Sequence, residues 1–293
     1  MNDIQQTYEA WKENVSIDSG LFDELKEMEN DKATVEDRFF STLSFGTGGL
    51  RGVIGAGTNC MNVYTVGKAT QGFALYLKRY KESPSVAIGY DSRHLSDVFA
   101  KTAAGVFAAN GIRVHLYSHL MPTPALSFAV RQLSCDGGVV ITASHNPAKY
   151  NGYKVYGADG CQITDEVARE ISDEIVLIDP FKDVWRMSLE DGLSIGLIEY
   201  IPESVREMYL EAVSAQSVLK APVDKSFPLV YTPLHGTGIT CVPECLRLNG
   251  FNNINIPPSQ HEPNGSFFTC PYPNPEEAEA LQVGIMHVKQ KVI

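Results

Sequence analysis

Ser144 is followed by His145, Asn146 and Pro147, and Lys154 returns a short way downstream. A serine hydroxyl acts as a nucleophile, or carries a transferable group, only where its surroundings activate it. The neighbours here offer an imidazole, a carboxamide, a proline that stiffens the backbone and a cation. A lysine beside such a serine suits a phosphorylated serine or a phosphorylated substrate. The same residues also suit a plain turn whose polar groups satisfy its own backbone.

Two arginines invite a similar reading. Arg51 lies in Phe45-Gly-Thr-Gly-Gly-Leu-Arg-Gly52, where flanking glycines would let backbone and guanidinium approach an oxyanion closely. The segment is not a P-loop, because no Gly-Lys-Ser/Thr follows, and its plain reading is a flexible loop. Arg93 closes Gly89-Tyr-Asp-Ser-Arg93 at the end of an apolar run, where it is either a site residue or half of an internal ion pair with Asp91. His235, in a Gly-Thr-Gly setting, reads as part of a structural turn.

These residues need elements to hold them. Gly137-Gly-Val-Val-Ile-Thr142 is a β-branched run opened by glycines, the pattern of an interior strand. Ser144 would then sit at the carboxyl edge of a sheet, where open α/β sheets bind ligands. Upstream, residues 65–80 and 96–110 have helical periodicity, with Val98, Ala103, Val106 and Phe107 expected to be buried. Residues 86–90 and 112–116 read as strands, and a further helix runs to about Leu133. This β-α-β-α-β grammar before Ser144 predicts a layered α/β/α domain with a mixed sheet. Residues 152–156 are extended, Thr164 caps a helix to about Ile175, and residues 179–197 read as a connector.

A boundary near residue 205 is expected, giving a first domain over 1–205 and an incomplete second α/β domain over 206–293. The first includes a charged, helical N-terminal extension with Leu21, Leu25 and Met28 on one stripe. The second restarts with a strand over 227–231, a break at Pro222, a helix ended by Gly250 and a strand at 254–256. Asn274-Pro-Glu-Glu277 is expected to open the last helix.

A net charge of −11, with no lysine- or arginine-rich run, argues against a nucleic-acid surface. No apolar stretch approaches the ~20 residues of a membrane span, and no basic segment precedes an apolar one at the N-terminus, so a cytoplasmic location is expected. The six cysteines have no paired spacing; Cys241 and Cys245 would share one helix face and read as core packing rather than a metal site.

Thr142-Ala-Ser-His-Asn-Pro147 followed by Tyr150-Asn-Gly-Tyr-Lys154 resembles the phosphoserine loop of the α-D-phosphohexomutases, the phosphoglucomutase/phosphomannomutase superfamily. The glycine-rich segment at Arg51, the segment ending at Arg93, Pro122-Thr-Pro124 and Tyr231-Thr-Pro-Leu-His-Gly-Thr-Gly238 occur in the family's order and span most of the chain. The resemblance implies that phosphorylated Ser144 donates to a hexose monophosphate through glucose 1,6-bisphosphate. It implies catalytic roles for Ser144, Lys154 and Arg51, and contacts to substrate phosphate from Thr47, Arg51, Arg93, His145, Asn146 and Lys154. It implies Mg2+ held partly by the phosphate on Ser144.

Members of that family continue with an Asp-x-Asp-x-Asp-Arg metal loop, a sugar-reading loop and a phosphate-binding domain, none of which occurs in this sequence. The aspartate ligands are therefore expected beyond this chain, and the chain alone is expected to turn over slowly or not at all. Phosphoglucomutase is the leading activity, with phosphomannomutase and phosphopentomutase as alternatives. A noncatalytic binding module that self-associates through the incomplete second domain is the reading from another class.

Overall fold

The computed structural model describes residues 2–16, 20–218 and 223–291. Pro222 lies outside them. Three short helices, α1 (Asn2–Asn14), α2 (Leu21–Glu27) and α3 (Lys32–Phe39), open the chain. They bury Tyr8, Trp11, Leu25 and Phe39 in a small core of their own, with Tyr8 Oη donating to the Leu25 carbonyl at 2.7 Å. Asp31 caps α3 by accepting from the Ala33 and Thr34 N–H groups.

The next elements are β1 (Leu50–Val53), α4 (Val63–Tyr80), β2 (Ser85–Tyr90), α5 (Ser96–Ala109), β3 (Arg113–Leu116), α6 (Thr123–Gln132), β4 (Gly137–Ile141), β5 (Tyr150–Gly157), α7 (Asp165–Leu177), α8 (Leu189–Ser194) and β6 (Ile198–Tyr200). The strands form one mixed sheet in the order β1-β5-β4-β2-β3-β6. β4, β2, β3 and β6 run parallel, while β5 is antiparallel to both β4 and β1. Every residue of β4 is buried, as its central place and apolar run require. Phe73, Phe99, Phe107, Ile141 and Tyr153 pack on the face covered by α4, α5 and α7; Ala87, Leu126, Val130 and Val140 pack on the face covered by α6. The layered α/β/α domain with a mixed sheet is thus present.

Three details depart from the sequence reading. Residues 50–53 are a paired edge strand rather than a flexible loop. The connector contains α8 and runs directly into the edge strand β6, which pairs with β3. Val98 is 37% exposed, because it lies on the outer side of α5, opposite Phe99 and Ala103.

Helix α9 (Glu203–Ser214) leaves the sheet, packing Tyr209 against Phe128 of α6 and ion-pairing Arg206 with Glu244. Beyond it lie β7 (Leu229–Val230), α10 (Val242–Leu248), β8 (Ile254–Asn255), α11 (Pro258–His261) and α12 (Gln282–Lys291). β7 and β8 form a parallel two-stranded sheet, so the second α/β unit is sparse among the described residues. The last helix starts at Gln282 and not at Asn274, whose Oδ1 instead accepts from the Glu276 N–H in a turn.

Candidate active site

The turn at Ser144 follows directly from where β4 ends. Thr142 is the last residue held by β5, its N–H donating to the Gly152 carbonyl at 3.0 Å. Its hydroxyl then accepts the Ser144 N–H at 2.9 Å, closing a tight turn. Ser144 adopts φ +58°, a left-handed conformation that costs a non-glycine residue about 1 kcal/mol or more. Its side chain is exposed, with Oγ 3.3 Å from His145 Nδ1.

Arg93 holds this turn from beneath. Its side chain is fully buried, and two of its nitrogens donate to four loop carbonyls: Ser144 at 2.8 Å, Asn146 at 2.5 Å, Pro147 at 3.0 Å and Tyr150 at 3.1 Å. The fifth N–H, on Nε, lies 3.3 Å from Asp91 Oδ2 as an ion pair without hydrogen-bond alignment. Four of the five guanidinium donors are thus spent on the loop and the fifth is buried against Asp91, so none is presented to a ligand. The expectation that Arg93 binds substrate phosphate is therefore corrected: it is spent on the backbone of the Ser144 loop. Burial pushes the Asp91 carboxyl up, opposed by hydroxyl donors from Thr142 and Ser96, by the Arg93 N–H and by the guanidinium charge. Burial pushes the Arg93 guanidinium down, opposed by Asp91.

Arg51 and Lys154 meet on one face of the sheet. Arg51 pairs with Gly152, placing it diagonally across β1 and β5 from Lys154, and Lys154 pairs with Val140. Gly152 is obligatory here, since a Cβ would lie 2.6 Å from the Thr142 carbonyl and 2.9 Å from that of Leu50. Arg51 is exposed and Lys154 half-buried, and neither has a hydrogen-bond or ion-pair partner among the described residues. Thr47 is exposed at the tip of the Gly46–Gly49 turn.

A cavity of about 490 Å³ opens over Ser144 and His145. Its walls come from Asp91 and Ser92, from residues 121–124, and from residues 231–234 and 236–238 of the second region. Asn146, Arg93, Arg51, Thr47 and Lys154 do not line it. Residues 122–124 and 231–238 were visible as motifs, but nothing in their composition marked them as walls of one cavity. Thr142, also in its walls, opened the Ser144 motif but was given no role of its own, and Phe267 carried no signal in the sequence.

The second region locks onto this site. The Phe267 ring stacks on the Arg93 guanidinium at 5.1 Å, and His94 Nε2 lies 2.9 Å from Ser266 Oγ. Gly265 leaves no room for a side chain, since a Cβ would fall 2.5 Å from the His94 nitrogen. The loop at His235 is a closed relay: Leu234 N–H to Thr232, Thr232 hydroxyl to Gln260, Gln260 amide to Thr269, Thr269 to His235 Nε2, and His235 Nδ1–H to the Glu262 carbonyl. His235 is 1% exposed and fully engaged, so it serves the turn rather than proton transfer.

Residues 42–180 match the phosphoglucomutase/phosphomannomutase alpha/beta/alpha domain I, and residues 207–292 match domain II of the same family. The chain belongs to the phosphoglucomutase/phosphomannomutase family. It is 40% identical over 245 residues to a phosphoglucomutase of Staphylococcus epidermidis, covering 84% of this chain and 44% of that one. It is 36% identical over 264 residues to a phosphoglucomutase of Staphylococcus aureus, covering 89% and 47%. The crystal structure of a protein assigned as a phosphomannomutase from Thermus thermophilus superposes with a TM-score of 0.71 at 31% identity, covering 85% of this chain and 52% of that one. The chain thus spans a little under half the length of these curated relatives.

Among the described residues no set of carboxylates converges near Ser144 to hold magnesium. Asp91 is the one carboxylate lining the Ser144 cavity, and its oxygens are engaged by Ser96, Arg93 and the Arg93 N–H. Among the described residues no three His, Cys, Asp or Glu side chains converge to hold a metal. The six cysteines are free thiols, and no described helix is long and apolar enough to cross a membrane.

Proposed function

We propose that this chain carries the phosphoserine half of a phosphohexomutase, most like a phosphoglucomutase, with Ser144 as the residue that gives and takes the phosphoryl group. The observation that carries this is the Ser144 turn: an exposed hydroxyl in a left-handed backbone, stapled by a buried arginine and facing a cavity of ligand size. Phosphoryl transfer needs positioning and charge neutralisation more than covalent assistance from the protein. In the forward step the Oγ–P bond of phosphoserine breaks and a new P–O bond forms to a hydroxyl of the hexose monophosphate. Transfer of the other phosphate of glucose 1,6-bisphosphate then restores phosphoserine. Arg51 and Lys154 are the cations free to hold the moving phosphate, and His145 and Asn146 orient the loop.

The names of the relatives at 36–40% identity favour glucose phosphates over mannose or pentose phosphates. The half-reaction is the direct test. Incubation with glucose 1,6-bisphosphate labelled in both phosphates should leave label on the chain, recovered by peptide mapping at Ser144. Ser144→Ala should take up none. Label that persists in that variant, or that maps to another residue, removes Ser144 from its role.

A further inference from the structure

A second cavity lies between α1, α4, α7 and the segment leading into β1. It is larger, about 580 Å³, within the range of small-molecule sites, and it shares no wall residue with the Ser144 cavity. Trp11, Phe45 and Phe181 give it an aromatic wall, with Trp11 and Phe181 fixed edge to face at 5.5 Å. Lys68 of α4 reaches this wall half-buried and has no hydrogen bond or ion pair among the described residues. Asp179, the nearest charge that influences it, is already committed, its Oδ1 accepting from the Phe181 and Lys182 N–H groups. Burial accordingly pushes the Lys68 ammonium down, incompletely offset by Asp179. An anion would restore what burial takes from it.

We infer that this cavity is a binding site for a small aromatic anion, its ring against Phe45 and Phe181, behind which Trp11 is buried, and its charged group on the Lys68 ammonium. The class follows from the walls: aromatic surface from Phe45 and Phe181 on one side, and on the other Lys68, half-buried and without a partner among the described residues, with Lys182 at the rim; Asp3 and Asp179 also line the cavity. Leu43, Phe45 and Leu50 line the same cavity, and Leu50 directly precedes Arg51. An occupant would therefore restrain the segment that carries Arg51 into the sheet.

The test uses phenyl phosphate as probe and Trp11 fluorescence as readout, in a Trp185→Phe background that leaves Trp11 as the sole indole. Saturable quenching is expected, with slowed amide exchange over residues 42–50. Lys68→Met should weaken binding about tenfold or more, since a hydrogen bond to a charged group is lost, while Lys68→Arg should retain it. Equal denaturation midpoints for the two variants establish that folding is not the cause. Ser144→Ala should bind as the parent does, which separates this site from the proposed phosphoserine chemistry. No saturable quenching, undiminished affinity in Lys68→Met, or loss of binding in Ser144→Ala would each overturn the inference.

Discussion

The two α/β regions of this chain follow one grammar and reach opposite degrees of burial. In the first, β4 has neighbours on both edges and helices on both faces, and all five of its residues are buried. In the second, β7 and β8 have only each other among the described residues, both are half-buried, and Phe227, Leu248 and Met286 are 45%, 59% and 55% exposed. A strand pair with one layer of helix cannot remove enough apolar surface from water to stand alone. The second region is instead most ordered where it meets the first: the His235 relay, Gly265 against His94, and Phe267 on Arg93. Its order is borrowed at the Ser144 site.

Arg93 is the sharpest place to break this contrast, because it serves both regions. Arg93→Ala would leave Asp91 buried without its cation and four loop carbonyls without donors. A loss of about 3–5 kcal/mol in folding free energy is expected, measured by urea denaturation, together with loss of phosphoryl uptake at Ser144. Arg93→Lys should recover only part of either, since one ammonium cannot span four carbonyls. Phosphoryl uptake at the parental level in Arg93→Ala would show that Ser144 does not depend on this staple.

The same substitution placed once in each region measures the contrast itself. Phe107 is 0% exposed within the first core, so Phe107→Ala should cost about 3 kcal/mol or more. Phe227 is 45% exposed and keeps an edge-to-face contact with Phe251 at 5.9 Å, so Phe227→Ala should cost about 1 kcal/mol or less. Comparable losses would mean that the second region carries a core of its own.

How much of this was legible in the sequence tracks the same physics. β4 and the Ser144 turn were readable because a buried central strand must be apolar throughout and must end where polar residues resume. β1 was not, because Gly49 and Gly52 erase the alternation of a strand, and its pairing is dictated by β5, about a hundred residues away. β6 is three residues long, below what periodicity can reveal. The Asp91-Ser-Arg93 motif allowed a site residue or an ion pair, and the ion pair is formed. The carbonyls that settle the role of Arg93 lie 51 to 57 residues downstream, where no local pattern points to them.

The smallest effect concerns how the first region answers to pH. His115 on β3 is largely buried, and burial pushes its imidazole below the ordinary histidine value; Glu199 of β6, 2.9 Å away, opposes this and Arg113 reinforces it. The unfolded chain therefore takes up the proton at higher pH than the folded one. Stability from this group is complete above the ordinary histidine range and declines as pH falls through that range toward the depressed folded value. Melting temperature should drop modestly between neutral and mildly acidic pH, and His115→Gln should flatten that part of the curve. If the second region, which lacks such a buried pair around β7 and β8 among the described residues, governed unfolding instead, the substitution would leave the slope unchanged. The pH profile thus reports which of the two regions melts first.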